Sequence, residues 1–350
     1  MQFTIIFILA LGLLILIHEL GHFIAAKAVG IPIQEFGIGF PPRMLTLFRA
    51  GGTEFTLNWL PVGGFVRPQE RPDDHDVPDE MLASKPWRRI VFLLAGSTVN
   101  IVAAILLLAT SLYTISRNLD HILIGGVDEN SPAEMAGLVA EDQVLAINGY
   151  QTVDVTELQE LIKENAGNQI ELTILRGEET FTTTLVPRTQ DQIDPQTEGA
   201  IGVRGLYDPR DYSYLEAVGS SAYGFYYLTI NVFNQALEFV GLKGMHDAMR
   251  DSIQQDMDNS SPTAGSNTIW YLASISYSLG ILNLFPVPIF DGGKILFTLW
   301  EMVTRRRVPI NIYYVLNMAS LAFVLLLMIY INVRDFVNPV IEVVTQTPIP

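Results

Sequence analysis

The 350-residue chain contains no cysteine. Disulfides, thiolate metal sites and cysteine catalysis are thereby excluded. Any transition metal has to be held by imidazole and carboxylate, and the chain has only five histidines. Charge is scarce too, at 17% of residues, against about 25% in a soluble globular domain. Bases are the scarcer sign, 21 against 37 acids. The imbalance is local: Asp120 to Ser260 holds 24 acids and 7 bases, and the remainder is close to neutral. Phosphate recognition needs the opposite sign, so nucleic acid is not expected as a partner.

Long apolar runs take the place of charge. Four stretches are long enough to be candidate spans: Gln2–Val29, Ile90–Leu112, Ile269–Phe290 and Tyr313–Ile331. The first is interrupted only by His18, Glu19, His22 and Lys27, and the third is broken near its end by Pro286 and Pro288. The start, Met-Gln-Phe-Thr, has no basic residue, so a cleaved signal peptide is not expected. Lys and Arg cluster between the first two spans, and Arg305, Arg306 and Arg307 lie between the last two. The positive-inside rule then puts both loops in the cytoplasm. The acidic insert and both termini fall outside. Ala217–Leu242 is mostly apolar, and we read it as an amphipathic helix on the outer membrane surface.

Histidines 18 and 22 flank a glutamate in His18-Glu19-Leu20-Gly21-His22. On a helix, i and i+4 lie about 40° apart around the axis and about 6 Å along it, so both imidazoles can meet one ion while Glu19 reaches a water on it. This is the H-E-x-x-H zinc hydrolase pattern. Burying these three side chains in an apolar span costs several kcal/mol unless they are paired or ligated. Zinc wants a third protein ligand, and the best candidate is Asp291, after Asn283-Leu284-Phe285-Pro286-Val287-Pro288. Two prolines forbid a continuous helix there, and broken backbone at membrane depth lines a cavity. Asn283 could grip a substrate backbone there or make an interhelical hydrogen bond.

Together the two motifs resemble the site-2 protease family of intramembrane metalloproteases, which pairs H-E-x-x-H with N-x-x-P-x-P-x-x-D-G. Both match without substitution. Leu60 to Val66 and Arg89 to Asn100 are similar to further family segments, with Ser97 where the family usually has Pro. The string from Gly126 to Gly149 looks like a PDZ domain of the bacterial protease type, which makes the RseP-like branch the closest resemblance. Such domains bind a strand beside a helix, here about Thr156–Asn165, or merely block access by bulk.

The resemblance implies a multi-pass α-helical membrane protein with four spans, a membrane-associated β-loop and an inserted mixed α/β PDZ-like domain. Along the chain, 1–30 is the first transmembrane helix and 31–86 a β-loop region on the cytoplasmic side. The second transmembrane helix is 87–117, the extracytoplasmic PDZ-like domain 120–188, and an extracytoplasmic linker with the amphipathic helix 189–267. The third transmembrane helix is 268–304, the fourth 310–332, and the extracytoplasmic tail 333–350. Within the linker, a short strand is expected around Ala200–Arg204 and a polar loop over 244–267. In the β-loop, Phe55, Leu57 and Trp59 alternate with polar residues as on a half-buried strand, able to pair with an unwound substrate. His75 among Asp73, Asp74 and Asp76 reads as a solvated acidic loop.

The implied activity is zinc-dependent endopeptidase cleavage within the membrane, in regulated intramembrane proteolysis. One Zn²⁺ per chain is held by His18, His22 and Asp291, and Glu19 takes the proton of a zinc-bound water. Asn283 and Asn100 are candidate substrate contacts. Expected partners are the lipid bilayer and single-pass membrane proteins already trimmed by another protease, such as anti-sigma factors or remnant signal peptides. The expected location is the inner cell membrane, with the active site toward the cytoplasm. Two other readings are a membrane zinc protease of the prenyl-peptide or HtpX-like kind and an inactive PDZ-bearing scaffold. The first kind lacks the Pro-x-Pro-x-x-Asp-Gly partner, and an inactive relative would be expected to lose Glu19 or a ligand.

Overall fold

A computed structural model describes residues 2–69, 84–117, 121–151, 154–192, 199–207, 213–234, 241–258 and 265–337. The chain divides into two compact units. One comprises Met1–Leu107, Ala236–Ser252 and Trp270–Ile341, the other Leu108–Gln235, Ile253–Ile269 and Glu342–Pro350. The acidic loop around His75 lies outside the described residues.

The first unit begins with α1, Gln2–Val29. Its Leu, Ile and Ala content favours helix, and Gly30, at φ +75°, ends it with Pro32 two residues on. Helix α2, Pro86–Arg117, starts on a proline, whose missing N–H costs nothing at a helix start. Among the described residues three helices are long and apolar enough to cross a membrane: Gln2–Val29, Pro86–Ile115 and Ile310–Val337.

The third expected transmembrane helix, 268–304, is two helices rather than one, broken where Pro286 and Pro288 are expected to break it: Ser266–Asn283 and Asp291–Thr304. Pro286 and Pro288 supply no N–H and push the residues before them out of helical geometry. The break is therefore a turn, closed by Leu284 N–H to Ile281 O and Phe285 N–H to Leu282 O. A Cβ on Gly292 or Gly293 would collide with the carbonyls of Leu284 or Val287, so only glycine lets this turn fold onto the helix it precedes. The fourth expected span is Ile310–Val337. It runs past 332 because Asp335, fully buried, accepts the Gly241 N–H at 2.7 Å, leaving its charge partnered.

Strands β1, Ile33–Ala50, and β2, Thr53–Pro68, form a ribbon turning on Gly51-Gly52, both at positive φ as a tight hairpin turn requires. The ribbon folds back on itself. Residues 35–38 have neighbours on both edges, 64–67 on one and 54–57 on the other, and 43–50 pair beyond them. At its centre Glu35 is buried and accepts from Thr56 Oγ1 at 2.7 Å, Arg43 at 2.8 Å and Arg67 at 3.0 Å.

The second unit holds a sheet of strands in the order β7-β6-β4-β3-β8, with β5 beside β4. The strands are β3 Ile122–Val127, β4 Gln143–Ile147, β5 Tyr150–Gln151, β6 Ile170–Arg176, β7 Glu179–Leu185 and β8 Val203–Tyr207. Two helices accompany it. The first, α3, Pro132–Met135, is capped by Ser131, and the second, α4, Val155–Glu164, is capped by Asp154. Leu158 and Ile162 of α4 pack with Ile122, Ile147, Ile170 and Leu172 in the core. The short strand expected in the linker around 200–204 is Val203–Tyr207 and pairs with β3 of this sheet.

Helix α5, Tyr214–Asn234, covers the described part of the expected amphipathic segment; 235–240 lie outside the described residues. The stretch 244–267, expected as a polar loop, is instead largely a helix, α6, Leu242–Asp258. Local pairs make it one. Lys243 meets Asp247 at 2.6 Å across one turn. Met249 is buried, and Met245 O accepts from Tyr271 at 2.7 Å. The remaining helices are α7, Ser266–Asn283, α8, Asp291–Thr304, and α9, Ile310–Val337.

Candidate metal centre

Helix α1 carries His18 and His22 one turn apart on a buried face. Their Nε2 atoms lie 3.0 Å from each other. Asp291, first residue of α8, brings Oδ2 to 3.2 Å from His18 Nε2 and 3.1 Å from His22 Nε2. All three side chains are buried, and their ligand atoms lie within 4.8 Å of one another. Ligands 2.0–2.1 Å from a tetrahedral zinc stand about 3.3 Å apart, so this donor set fits one such ion. Hard carboxylate and borderline imidazole suit zinc.

The surroundings are shaped for that convergence. Gly21 of α1 lies against α2, where a Cβ would sit 2.7 Å from Ala95 O; the helices approach this closely because the residue is glycine. On α2, Gly96 faces the imidazoles: a Cβ there would sit 2.5 Å from His22 Nε2 and 2.7 Å from His18 Nε2. His22 donates Nδ1–H to Phe92 O at 2.7 Å and stacks on the Phe92 ring. This bond leaves Nε2 with its lone pair toward the centre. Lys294, one turn into α8, stands 3.7 Å from Asp291 Oδ1.

Glu19 sits beside the pair, partly exposed. A Cβ on Gly64 of β2 would come 3.8 Å from Glu19 Cγ, so the carboxylate arm and the ribbon are neighbours. Asn283 is the last residue of α7 and is partly exposed. Asn100 is fully buried, with neither side-chain polar atom partnered among the described residues; its burial leaves it no exposed face in this structure. Gly96, Phe92 and Lys294 escape sequence reasoning as site residues. A helical glycine or a backbone carbonyl carries no chemical signature until its neighbour is known.

Residues 6–327 match the family described as Peptidase family M50. The chain belongs to peptidase family M50. Being an M50 peptidase, it is a zinc metalloprotease and an integral membrane protein. Two clostridial proteins with the name "putative zinc metalloprotease" are similar over nearly their whole length. That of Clostridium perfringens is 29% identical over 344 residues, 97% of this chain and 100% of the relative. That of Clostridium acetobutylicum is 28% identical over 348 residues, 96% of this chain and 98% of the relative. Among solved structures, PDZ domains of SdrC-like proteins match part of this M50 peptidase. The Listeria monocytogenes domain is 21% identical, covering 25% of this chain and 88% of that one, with TM-score 0.22. The Listeria innocua domain is 19% identical, covering 27% and 100%, with TM-score 0.23.

Proposed function

We propose that this M50 peptidase cleaves membrane-spanning segments of single-pass proteins, at one zinc ion per chain held by His18, His22 and Asp291. The observation that carries this reading is the convergence of three buried donors, with Gly96 against the two imidazoles and the Glu19 arm beside the ribbon. Zinc bound there would supply Lewis acidity to a peptide carbonyl and to a water.

The protein's own groups do the rest. Glu19 takes a proton from the attacking water and returns it to the leaving amine. His22, fixed by Phe92 O, keeps its lone pair on the centre. A helical substrate hides its carbonyls and has to be drawn out as a strand. Residues 64–68 of β2 pair only with 33–38 among the described residues, and Gly64 neighbours Glu19. Their open edge can hold an extended segment by β-pairing, with Asn283 contacting its backbone. The far part of the ribbon exposes Met44, Leu45, Leu47, Phe48, Trp59 and Leu60, an apolar surface suited to lipid or to an apolar substrate.

In this reading α7 with its turn is the third crossing and α9 the fourth, the ribbon and metal centre face the cytoplasm, and the PDZ-like domain lies outside. Substrates arrive trimmed by an earlier protease. The test is cleavage of a single-pass model substrate by purified protein in liposomes, comparing wild type, Glu19→Gln and added chelator. Loss of cleavage in both, with zinc retained by Glu19→Gln, supports the mechanism. Cleavage that survives Glu19→Gln sinks it.

A further inference from the structure

The two histidines of the centre are not held alike. His22 Nδ1–H has its acceptor in Phe92 O. His18 Nδ1 is buried and meets no partner among the described residues. A metal-ligating imidazole almost always donates its second N–H to a carboxylate, a carbonyl or a water, and buried polar atoms are rarely left alone.

Helix α2 shows which residue stands opposite. It runs antiparallel to α1: Phe92 meets His22, Ala95 and Val99 meet Gly21, and Gly96 meets both imidazoles. Phe92, Gly96 and Asn100 follow at one-turn intervals, each about 6 Å along the axis and about 40° around it. One turn past Gly96, away from His22, Asn100 comes level with His18. Gly96 already lies against His18 Cε1, the atom bonded to Nδ1. By this spacing Asn100 lies on the His18 side of Gly96, opposite Phe92.

Its chemistry fits that place. Asn100 is fully buried, and both Oδ1 and Nδ2 lack a partner among the described residues. Ser97 Oγ, three residues earlier on the same helix, is buried and unpartnered as well. The Asn100 carbonyl is already engaged, accepting from Ser276 Oγ of α7 at 2.9 Å, so the backbone is fixed while the side-chain amide is free to serve a neighbour.

We propose that Asn100 is a positioning residue for His18. His18 Nδ1–H donates to one buried water, which donates in turn to Asn100 Oδ1 and Ser97 Oγ. That water has three polar partners, within the two to four that hold a buried water. The contact fixes the tautomer in which His18 Nε2 is the metal-facing lone pair. The proposal rests on the reading of His18, His22 and Asp291 as zinc ligands.

The test uses the full chain in detergent, stripped of metal. Zinc affinity is measured by competition with a chromophoric chelator, and thermal unfolding of the metal-free protein is recorded alongside. Asn100→Leu is expected to bind zinc about 10–100-fold more weakly. Asn100→Asp, whose carboxylate accepts from the same water, is expected to keep wild-type affinity or exceed it. A merely structural role would lower the metal-free midpoint in both variants and leave affinity where it was. A folded Asn100→Leu with unchanged affinity overturns the proposal, as does an Asn100→Asp no better than Leu. If Asn100→Leu does not fold, Asn100→Ala is read the same way. A His22→Ala variant that binds zinc as tightly as wild type would instead refute the ligand assignment itself.

Discussion

Gly96 stands against His22 so closely that a single added carbon would sit 2.5 Å from Nε2. The same carbon would sit 2.7 Å from His18 Nε2, in the volume between the two donors. Gly96→Ala is therefore expected to abolish zinc binding while leaving helix α2 intact, since alanine is the better helix former by about 1 kcal/mol. Metal content after purification, with circular dichroism as the control for fold, measures both. Full zinc occupancy in Gly96→Ala would mean that the donors converge elsewhere.

Arg89, near the start of α2, is buried and paired with Glu301 of α8, which also receives Arg307 at 3.2 Å. The pair links the helix bearing Gly96 to the helix bearing Asp291. Removing one partner of a fully buried pair costs about 3–5 kcal/mol, and less here because Glu301 is partly exposed and keeps Arg307, whereas replacing both by apolar groups is often neutral. Arg89→Met alone should lower the thermal midpoint sharply, and Arg89→Met with Glu301→Leu should recover most of it. Equal losses in the single and double variants would show that the pair is not buried as a unit.

The exposed face of the ribbon offers a functional test. Trp59→Ser and Phe48→Ser remove apolar surface far from the donors, so zinc affinity should stay within about twofold. Cleavage of a membrane-embedded substrate in liposomes should fall about tenfold or more, the equivalent of about 1.4 kcal/mol. Undiminished cleavage by the double variant would remove the ribbon from substrate or lipid handling.

Helix α6 has a pH dependence whose sign follows from Asp247. Burial alone would raise its pKa, but hydrogen bonds from Lys243 and His246 and the charges of Lys243 and Arg250 outweigh burial and hold it below the ordinary carboxylate value. The lower folded pKa means that Asp247 stabilises α6 above the unfolded value of about 3.9 and ceases to do so as pH falls through the folded value. Protection factors of the 242–258 amides, that is exchange relative to the unfolded-chain rate at each pH, should therefore fall on acidification below about pH 4, and Asp247→Asn should show the lower protection already at neutral pH. Exchange in that variant as slow as wild type would show that Asp247 does not stabilise the helix.

The donors of the centre were legible because their chemistry is rare in an apolar run. Two imidazoles one turn apart and an aspartate behind two prolines have few other uses there. Long helices were legible from apolar length alone, as in Gln2–Val29 and Pro86–Arg117. Where contacts rather than composition decide, sequence failed. Helix α6 reads as loop because its mean polarity is high, and it folds on pairs such as Lys243–Asp247 and on the burial of Met249. The division of 268–304 into two helices was half visible: the prolines announced a break, but the turn's fold onto α8 depends on Leu284 and Val287 carbonyls meeting Gly292 and Gly293.

His18 and Asp291 are 273 positions apart, with the whole second unit's sheet lying between them in sequence. An ion gripped by both would act as a clasp on a very long loop. Loop-closure entropy grows only with the logarithm of length, about 0.6 kcal/mol per doubling. The inserted sheet can therefore be exchanged for a larger or smaller one at little cost to the clasp. Conversely, a chelator would undo a cross-link as well as withdraw a reagent, so metal depletion should loosen the bundle of α1, α2 and α8 along with silencing it.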